Sequence, residues 1–163
     1  MQILEKKKDK VFVFKNFLSK KLCNFYSNKI KDIGDIGFSL PFEDRTWEFT
    51  DNQKITKKIT DTVYKHLKIK LNLHYAQFQN WHVGTNSELH KHDYAGTEVT
   101  KYNSLIYLND DFEGGEFFTR NGIKLKPQAG MLTLFDGSKV SHGLKKVKNK
   151  DRKTMIFWWA NTS

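Results

Sequence analysis

Residues 101–135 read KYNSLIYLNDDFEGGEFFTRNGIKLKPQAGMLTLF, and this stretch decides the predicted fold. Short runs of β-branched and aromatic residues alternate here with turns rich in Asn, Asp and Gly. The dipeptide Asn121-Gly122 is typical of a tight turn between two short strands. The stretch therefore predicts a succession of short strands.

The same pattern extends from about residue 72 to the C-terminus. We predict eight strands, near residues 72–82, 87–93, 99–108, 115–119, 123–126, 131–135, 139–147 and 153–160. Eight short strands behind two helices are typical of a mainly β (α+β) protein built as a double-stranded β-helix, or jelly roll. The two N-terminal helices are expected to pack on one face of it.

Residues 1–71 carry the helical signals. After a β-prone run at Val11–Phe14, Ser19 is placed to cap a first helix. Its predicted buried face consists of Leu22, Cys23, Tyr26 and Ile30, and a second helix, from Asp51, has a stripe at Ile55, Ile59, Val63 and Leu67. Residues 38–50 are predicted to be a strand or an ordered loop. No linker or repeat divides the chain, so we expect one domain over 1–163, with helical support in about 1–71 and the jelly-roll core in about 72–163.

The composition limits where the protein works. Cys23 is the single cysteine of the 163 residues, which excludes an intramolecular disulfide and fits a reducing compartment. We find no signal peptide and no apolar run of the roughly 20 residues that a membrane span requires. The sequence thus predicts a soluble, intracellular (cytoplasmic) protein that does not contact a membrane.

The net charge of +10 raises the question of an anionic partner. Only three of the 28 basic residues are Arg, namely Arg45, Arg120 and Arg152. Proteins that read nucleic acids rely on Arg for bidentate contacts, so the lysine excess is better interpreted as surface charge. Nucleic acid is therefore not the partner that the sequence favours.

Three histidines are spaced like metal ligands. His90 and His92 lie two residues apart, and alternate residues of a strand point to the same face. His142 lies about fifty residues later, on a strand that could neighbour the first in a closed barrel. Three such ligands form a facial site with open positions for substrate and O2, as non-haem Fe(II) oxygenases require.

A cation and a hydroxyl follow this group. Arg152 lies ten residues after His142, across a predicted hairpin, and Thr154 lies two residues further on the same strand face. A fixed cation inside a barrel is costly unless an anion pairs with it. A dicarboxylate that chelates the metal at one end would supply this anion at the other.

Several motifs in the second half of the chain resemble one family. They are Ser104–Asp110 (SLIYLND), Gly114-Gly115-Glu116, Pro127–Phe135 (PQAGMLTLF), His142-Gly143, Val147, Arg152 and Trp158. Their order and spacing resemble the prolyl 4-hydroxylase-like branch of the 2-oxoglutarate/Fe(II) oxygenases. The opening Phe14–Ser19 resembles it too, so the likeness covers nearly the whole chain.

The resemblance implies an activity and its cofactors. Fe(II) would be the metal, 2-oxoglutarate the cosubstrate and O2 the oxidant, with succinate and CO2 as products. His142 would be the distal iron ligand, and Arg152 would hold the far carboxylate of 2-oxoglutarate, helped by Tyr107 and Thr154. Trp158 would pack nearby. The resemblance implies no catalytic side chain beyond the metal ligands.

The chain departs from the family at the first ligands. The family has His-x-Asp, whereas this chain reads His90-Lys91-His92-Asp93. His90 and His92 could both bind with His142; His90 and Asp93 could bind if a bulge turns Asp93 inward; or His92 could bind with a nearby carboxylate. The sequence leaves all three arrangements open.

The resemblance also predicts a substrate class, since members of this branch act on prolyl residues of peptides. We therefore expect hydroxylation of a prolyl or other protein side chain, with a small molecule as a further possible substrate. The alternatives are a non-catalytic jelly-roll binding module that has lost its iron, supported by the departure from His-x-Asp, and an oxygenase acting on nucleic acid, supported only by the charge.

Overall fold

The computed structural model describes residues 1–33, 39–41, 46–92 and 100–160. The helices are α1 (Lys20–Ile33) and α2 (Thr46–Leu67). The strands are β1 (Gln2–Lys6), β2 (Asp9–Phe14), β3 (Ser39–Pro41), β4 (Leu73–Trp81), β5 (Ser87–His90), β6 (Thr100–Tyr107), β7 (Glu113–Gly114), β8 (Phe117–Thr119), β9 (Lys124–Leu125), β10 (Leu132–Asp136), β11 (His142–Leu144), β12 (Val147–Lys148) and β13 (Arg152–Ala160). Within these residues no helix has the length and apolar character needed to cross a bilayer.

The strands form three antiparallel sheets. The largest has seven strands in the order β1-β2-β10-β6-β13-β4-β3, and the second has four in the order β5-β11-β8-β9. β12 and β7 form a two-stranded ribbon. The predicted mainly β class with two helices is therefore confirmed.

The seven-stranded sheet is buried on both faces, and β13 illustrates why. Met155, Phe157 and Trp159 belong to one apolar cluster with residues of α1 and α2. Ile156, which points the other way, belongs to a second cluster with Phe117 of the four-stranded sheet. Because side chains alternate along a strand, one run of apolar residues serves both cores. The second core separates the two sheets, and the functional site lies beside it.

The helices follow the predicted pattern with one exception. Ser19 caps α1, because its hydroxyl accepts a hydrogen bond from the backbone N–H of Leu22 at 3.3 Å. Cys23, Tyr26 and Ile30 are buried, but Leu22 is 41% exposed and does not belong to the buried face. Leu22 lies beside Cys23 on the helix, and residues one apart point about 100° away from each other.

Two predictions for the first 71 residues need correction. α2 begins at Thr46, not at Asp51. Residues 46–50, which were predicted as part of a strand or ordered loop, are therefore helical. Residues 1–71 also contribute three strands to the large sheet: β2 contains the predicted β-prone run, β3 lies in the region predicted as a strand or ordered loop, and β1 was not predicted. The charged segment that forms β1 pairs along its whole length with β2, and charged side chains suit such an edge strand. Pairing with β2, together with the partial burial of Leu4 against the second core, forms this strand.

Candidate functional site

A cavity of about 220 Å³ lies between the seven-stranded and four-stranded sheets. Its walls combine aromatic and aliphatic side chains with three histidines and one arginine. The lining residues are Gln79, Trp81, Ser87, His90, His92, Leu105, Phe117, Phe135, His142, Gly143, Leu144, Arg152, Ile156 and Trp158. The imidazoles and the guanidinium thus open onto one shared space.

The imidazoles of His90, His92 and His142 converge in this cavity. One nitrogen from each ring lies within 4.8 Å of the others, and the Nε2 atoms of His90 and His92 are 3.3 Å apart. Two nitrogens bound at about 90° to one metal, each roughly 2.1 Å from it, would be roughly 3 Å apart. The spacing of the rings therefore suits a single metal ion.

Different elements position the three rings. His90 ends β5 and His142 begins β11, and these two residues are direct partners in the antiparallel ladder. His92 lies beyond the end of β5, where its backbone N–H donates to the carbonyl oxygen of Gly137 at 2.9 Å. The prediction of a continuous strand over 87–93 is therefore wrong, although the two rings still meet. A contact with the β10–β11 connection, not strand alternation, brings His92 to the site.

Each ring directs its Nδ1 away from the point of convergence. Nδ1 of His142 lies 2.8 Å from the carbonyl oxygen of Val140, and that of His90 lies 2.8 Å from the carbonyl oxygen of Glu88. Nδ1 of His92 lies 2.7 Å from Oδ1 of Asn103. Because a carbonyl oxygen only accepts, Nδ1 carries the proton and Nε2 keeps its lone pair. Three metal-binding lone pairs therefore face one point.

Burial keeps His142 uncharged. The side chain is packed between Phe117 and Phe135, with ring centres 5.6 and 4.6 Å away. Desolvation, together with the neighbouring His92 and His90, lowers the pKa of His142 to about 3, although the hydrogen bond to the carbonyl oxygen of Val140 opposes this shift. The ring is therefore neutral near pH 7, as a metal ligand must be.

The structure bears differently on each of the three ligand arrangements that the sequence leaves open. The structure brings together His90, His92 and His142, which is the all-histidine arrangement. Asp93, on which the second arrangement depends, lies outside the described residues. No carboxylate joins the three rings in the described part of the chain.

At the other end of the cavity the guanidinium of Arg152 is buried. The residue is 2% exposed, and its Nε donates to the carbonyl oxygen of Gly115 at 3.2 Å. Its Cζ lies 5.0 Å from the ring centre of Tyr107. None of the ion pairs among the described residues includes Arg152. Burial lowers the pKa of Arg152 from its usual value, an indication of how poorly the site solvates the cation.

The neighbouring acid does not neutralise this cation. Asp151 points instead toward the β4 end, where its carboxylate lies 3.0 Å from Nδ1 of His82. It also accepts hydrogen bonds from Asn80 and from the backbone N–H of Val83. A surface ion pair between Arg152 and Asp151 is therefore not what positions the arginine.

Three hydroxyl groups on the adjacent strands β10, β6 and β13 are buried without a hydrogen-bond partner among the described residues: Oγ1 of Thr133, Oη of Tyr107 and Oγ1 of Thr154. Tyr107 faces Thr154 across the β6–β13 ladder. Burial raises the pKa of Tyr107 above its usual value. The Arg152 cation and the nearby Thr133 hydroxyl oppose this rise, although neither forms a hydrogen bond with Oη of Tyr107. Buried polar groups are normally paired, so three such hydroxyls, one of them on the tyrosine beside the Arg152 cation, suit a site for an anion.

Trp158 lies on the same face of β13 as Arg152 and Thr154, but nearer the histidines. Its ring centre is 6.3 Å from that of His92 and 5.4 Å from that of Tyr75. The ring therefore forms a wall at the metal end of the cavity rather than at the arginine end.

Sequence reasoning missed three residues of this region: Thr133, Asn103 and Gly137. Thr133 and Asn103 are buried polar residues, 1% exposed each. Thr133 lies between apolar residues of β10, and this departure from the apolar pattern was an available signal, whereas Asn103 adjoins other polar residues of β6. Gly137 is needed because a Cβ there would lie 1.9 Å from Oδ1 of Asn103. No sequence signal separates this glycine from an ordinary turn residue.

The residues present fit a divalent metal and a dicarboxylate. Three imidazoles on one side of a cavity leave coordination positions open, which suits iron. A buried cation with three unpaired hydroxyls suits a carboxylate, because such groups form charge-assisted hydrogen bonds with it. The three histidines and Arg152 line the same cavity.

Comparison with known proteins supports this interpretation. Residues 71–160 match the family model described as the 2OG-Fe(II) oxygenase superfamily. Prolyl 3-hydroxylase 2 of Rattus norvegicus is 40% identical over 65 residues, which cover 36% of this chain and 9% of that protein. The chain thus corresponds to a small part of the length of the curated relatives it matches.

Two solved structures have a similar fold. The viral collagen prolyl hydroxylase vCPH of Paramecium Bursaria Chlorella virus-1, in complex with 2OG, superposes with a TM-score of 0.73 at 20% identity, covering 94% of this chain and 96% of that one. A Pseudomonas putida prolyl-4-hydroxylase gives a TM-score of 0.77 at 14% identity, covering 94% and 93%. The predicted resemblance to the 2-oxoglutarate/Fe(II) oxygenases is confirmed: the chain belongs to the 2OG-Fe(II) oxygenase superfamily, whose cofactors are iron and 2-oxoglutarate.

Proposed function

We propose that the protein is a dioxygenase that couples the oxidation of 2-oxoglutarate to hydroxylation of a prolyl or other side chain in a peptide. The proposal rests on one observation: a candidate metal site and a candidate carboxylate site open onto the same cavity. The metal-binding lone pairs of three histidines and the unpaired Arg152 cation both open onto the same 220 Å³ space. A 2-oxo dicarboxylate can occupy both ends at once.

The metal ligands in this proposal are His90, His92 and His142. This arrangement is supported by the orientation of all three Nε2 atoms toward one point. The carbonyl acceptors behind His90 and His142 hold the rings in the binding tautomer, so little ordering is needed when the metal enters.

Arg152 would hold the distal carboxylate of the cosubstrate. Tyr107 and Thr154 would donate hydrogen bonds to it, and Thr133 would add a third donor that the sequence did not suggest. Trp158 would close the cavity beside the cosubstrate at the metal end. Phe117 and Phe135 would exclude water behind His142.

Bound iron supplies the redox chemistry by which O2 oxidises 2-oxoglutarate to succinate and CO2 while one oxygen atom enters a C–H bond of the substrate. The contribution of the chain is to orient the imidazoles, to neutralise the dicarboxylate and to exclude water from the cavity. No further side chain needs to transfer a proton in this proposal.

The fold would support this arrangement as a double-stranded β-helix. The pairing of a seven-stranded with a four-stranded antiparallel sheet around one cavity is consistent with a jelly roll. We propose that this core, together with the helices that pack on its outer face, forms one domain over residues 1–163.

A peptide is the proposed substrate because the matched relatives are named as prolyl 3-hydroxylases and collagen or prolyl-4-hydroxylases. The cavity walls suit a prolyl residue, since Trp81 and Trp158 offer apolar surface and Gln79 an amide for the peptide backbone. A non-catalytic binding module is the weaker interpretation, because burying Arg152 without an anion would cost stability for no return. The prediction that nucleic acid is not the partner stays a prediction.

The test is a coupled assay with Fe(II), 2-oxoglutarate, O2 and proline-containing peptides. We expect succinate to form and the peptide to gain the mass of one oxygen atom in equal amounts. A matched peptide with alanine in place of each proline should gain none. Succinate without peptide oxidation would point to another substrate, and no succinate under any condition would contradict the proposed activity.

A further inference from the structure

We propose that Asn103 is a positioning residue that holds His92 in the tautomer and orientation of a third imidazole ligand. The inference rests on the proposed function, because it assumes that the three histidines bind a metal. It deepens that function by assigning a role to a buried residue that touches no substrate or cosubstrate in the proposal. It also explains how this chain accommodates a histidine where the resembling family has Asp.

The contact between Asn103 and His92 is short and comes from a rigid element. Oδ1 of Asn103 lies 2.7 Å from Nδ1 of His92, and Asn103 is 1% exposed. Asn103 sits inside β6, where it is paired with Phe135 on one side and Trp158 on the other. His92, by contrast, lies outside β5 and belongs to no strand. The strand residue therefore fixes the ring, rather than the reverse.

The direction of this hydrogen bond decides whether His92 can bind a metal. With Oδ1 as acceptor, Nδ1 of His92 holds the proton, and Nε2 faces His90 with a free lone pair. The opposite amide orientation would place the proton on Nε2 and block coordination. His90 and His142 obtain the same tautomer from backbone carbonyls, which have only one orientation available. Among the three rings, His92 is the one whose tautomer depends on a side chain.

Gly137 makes room for this pair. A Cβ at this position would lie 1.9 Å from Oδ1 of Asn103 and 2.8 Å from Nδ1 of His92. The carbonyl oxygen of Gly137 also accepts the backbone N–H of His92 at 2.9 Å. The glycine thus anchors the backbone of His92 and leaves the space in which its ring meets the amide. Asn103, His92 and Gly137 act as one unit.

The test is the affinity for Co(II), a spectroscopic probe that needs neither O2 nor 2-oxoglutarate. Asn103→Leu removes the acceptor at similar volume, and we expect Co(II) affinity to fall by roughly 10- to 100-fold, the usual effect of losing a partner behind a ligating histidine. Asn103→Asp can only accept, so it should bind Co(II) about as tightly as the wild type. Gly137→Ala should weaken binding like Asn103→Leu.

Ser104→Ala is the matched control, because Ser104 is also buried in β6 but points to the other face, where it accepts from Nε1 of Trp159 at 2.8 Å. It should lower the unfolding temperature while leaving Co(II) affinity unchanged. Equal Co(II) affinity in Asn103→Leu and the wild type, or a loss in Asn103→Asp as large as in Asn103→Leu, would overturn the inference alone. A wild-type protein that binds no Co(II) would overturn the proposed function and this inference with it.

Discussion

The two ends of the cavity differ in how complete they are in the protein by itself. At the histidine end every ring has a hydrogen-bonded Nδ1 and needs no charge to be neutralised. At the arginine end, among the described residues, one buried cation has no ion-pair partner and three buried hydroxyls have no hydrogen-bond partner. The first end is ready for its ligand, while the second is stabilised only when its ligand arrives.

This difference has an energetic consequence. Neutral imidazoles that donate to carbonyls cost little to bury, so the histidine end should contribute normally to stability. An unpaired buried guanidinium is costly, so the arginine end should destabilise the free protein and stabilise the complex. Substitutions at the two ends should therefore separate metal binding from cosubstrate binding, and the following experiments range from the largest expected effect to the smallest.

His142→Ala should abolish turnover. The substitution removes a buried ligand and leaves a cavity between Phe117 and Phe135, so metal binding should be lost and succinate formation should fall below detection. Metal content of protein purified without oxygen is the measurement. His74→Ala, at an exposed position, is the control and should behave like the wild type. Retained metal in His142→Ala would remove this residue from the ligand set.

Breaking a buried ion pair costs about 3–5 kcal/mol, so Arg152→Met should raise the 2-oxoglutarate concentration needed for half-saturation by roughly two to four orders of magnitude. Metal content should not change. The free variant should be no less stable than the wild type, since an unpaired buried cation is gone. Arg120→Met, at an exposed arginine, should alter none of these values. Normal 2-oxoglutarate affinity in Arg152→Met would break the comparison between the two ends.

Ligand-induced stabilisation should depend on the distal carboxylate. At about 100 times its dissociation constant, 2-oxoglutarate should add roughly 2.7 kcal/mol to the free energy of unfolding of the metal-loaded protein, or about 5–10 °C in Tm. At the same concentration 2-oxobutyrate, which chelates a metal but lacks the distal carboxylate, should raise the Tm much less. Equal shifts would mean that Arg152 does not hold the cosubstrate.

Thr154→Val is the mildest test. Losing a hydrogen bond to a charged group costs about 1.5–3 kcal/mol, so 2-oxoglutarate affinity should fall by at least roughly tenfold. Stability of the free protein should be unchanged, because the hydroxyl has no partner to lose. Thr119→Val is the matched control: its hydroxyl accepts from the backbone N–H of Ile123 at 3.2 Å, so stability should fall while 2-oxoglutarate affinity stays normal. The reverse pattern would contradict the account.

The sequence predicted some elements of the fold and missed others, depending on whether the side chains of an element show a pattern of burial. Alternation and turn residues predicted the strands after residue 71, because there the side chains themselves distinguish buried from exposed positions. The same logic missed β1, which is held by backbone pairing with β2 and is charged in sequence. It also placed Leu22 on the wrong face of α1 and started α2 five residues late.

In the candidate site, too, some residues were predicted from the sequence and others were missed. His90, His142, Arg152 and Thr154 were predicted, because their spacing and chemistry are visible in the sequence. His92 was predicted for a reason that proved wrong, since a contact with Gly137, not strand alternation, brings it in. Asn103 and Thr133 were missed: Thr133 stands out as a polar residue in an apolar strand, but only the sheet register shows which residues lie beside each of them. The role of Asp93 stays a prediction, as this residue lies outside those that the structure describes.

The most direct test of the central claim is an anaerobic titration of the Fe(II) protein with 2-oxoglutarate, followed by visible absorption. Chelation of the 2-oxo acid to iron should produce a charge-transfer band that requires both components. The band should be absent in His142→Ala and should appear in Arg152→Met only at far higher 2-oxoglutarate. A wild-type protein that retains no iron and gives no band would contradict the claim that this cavity binds a metal and 2-oxoglutarate together.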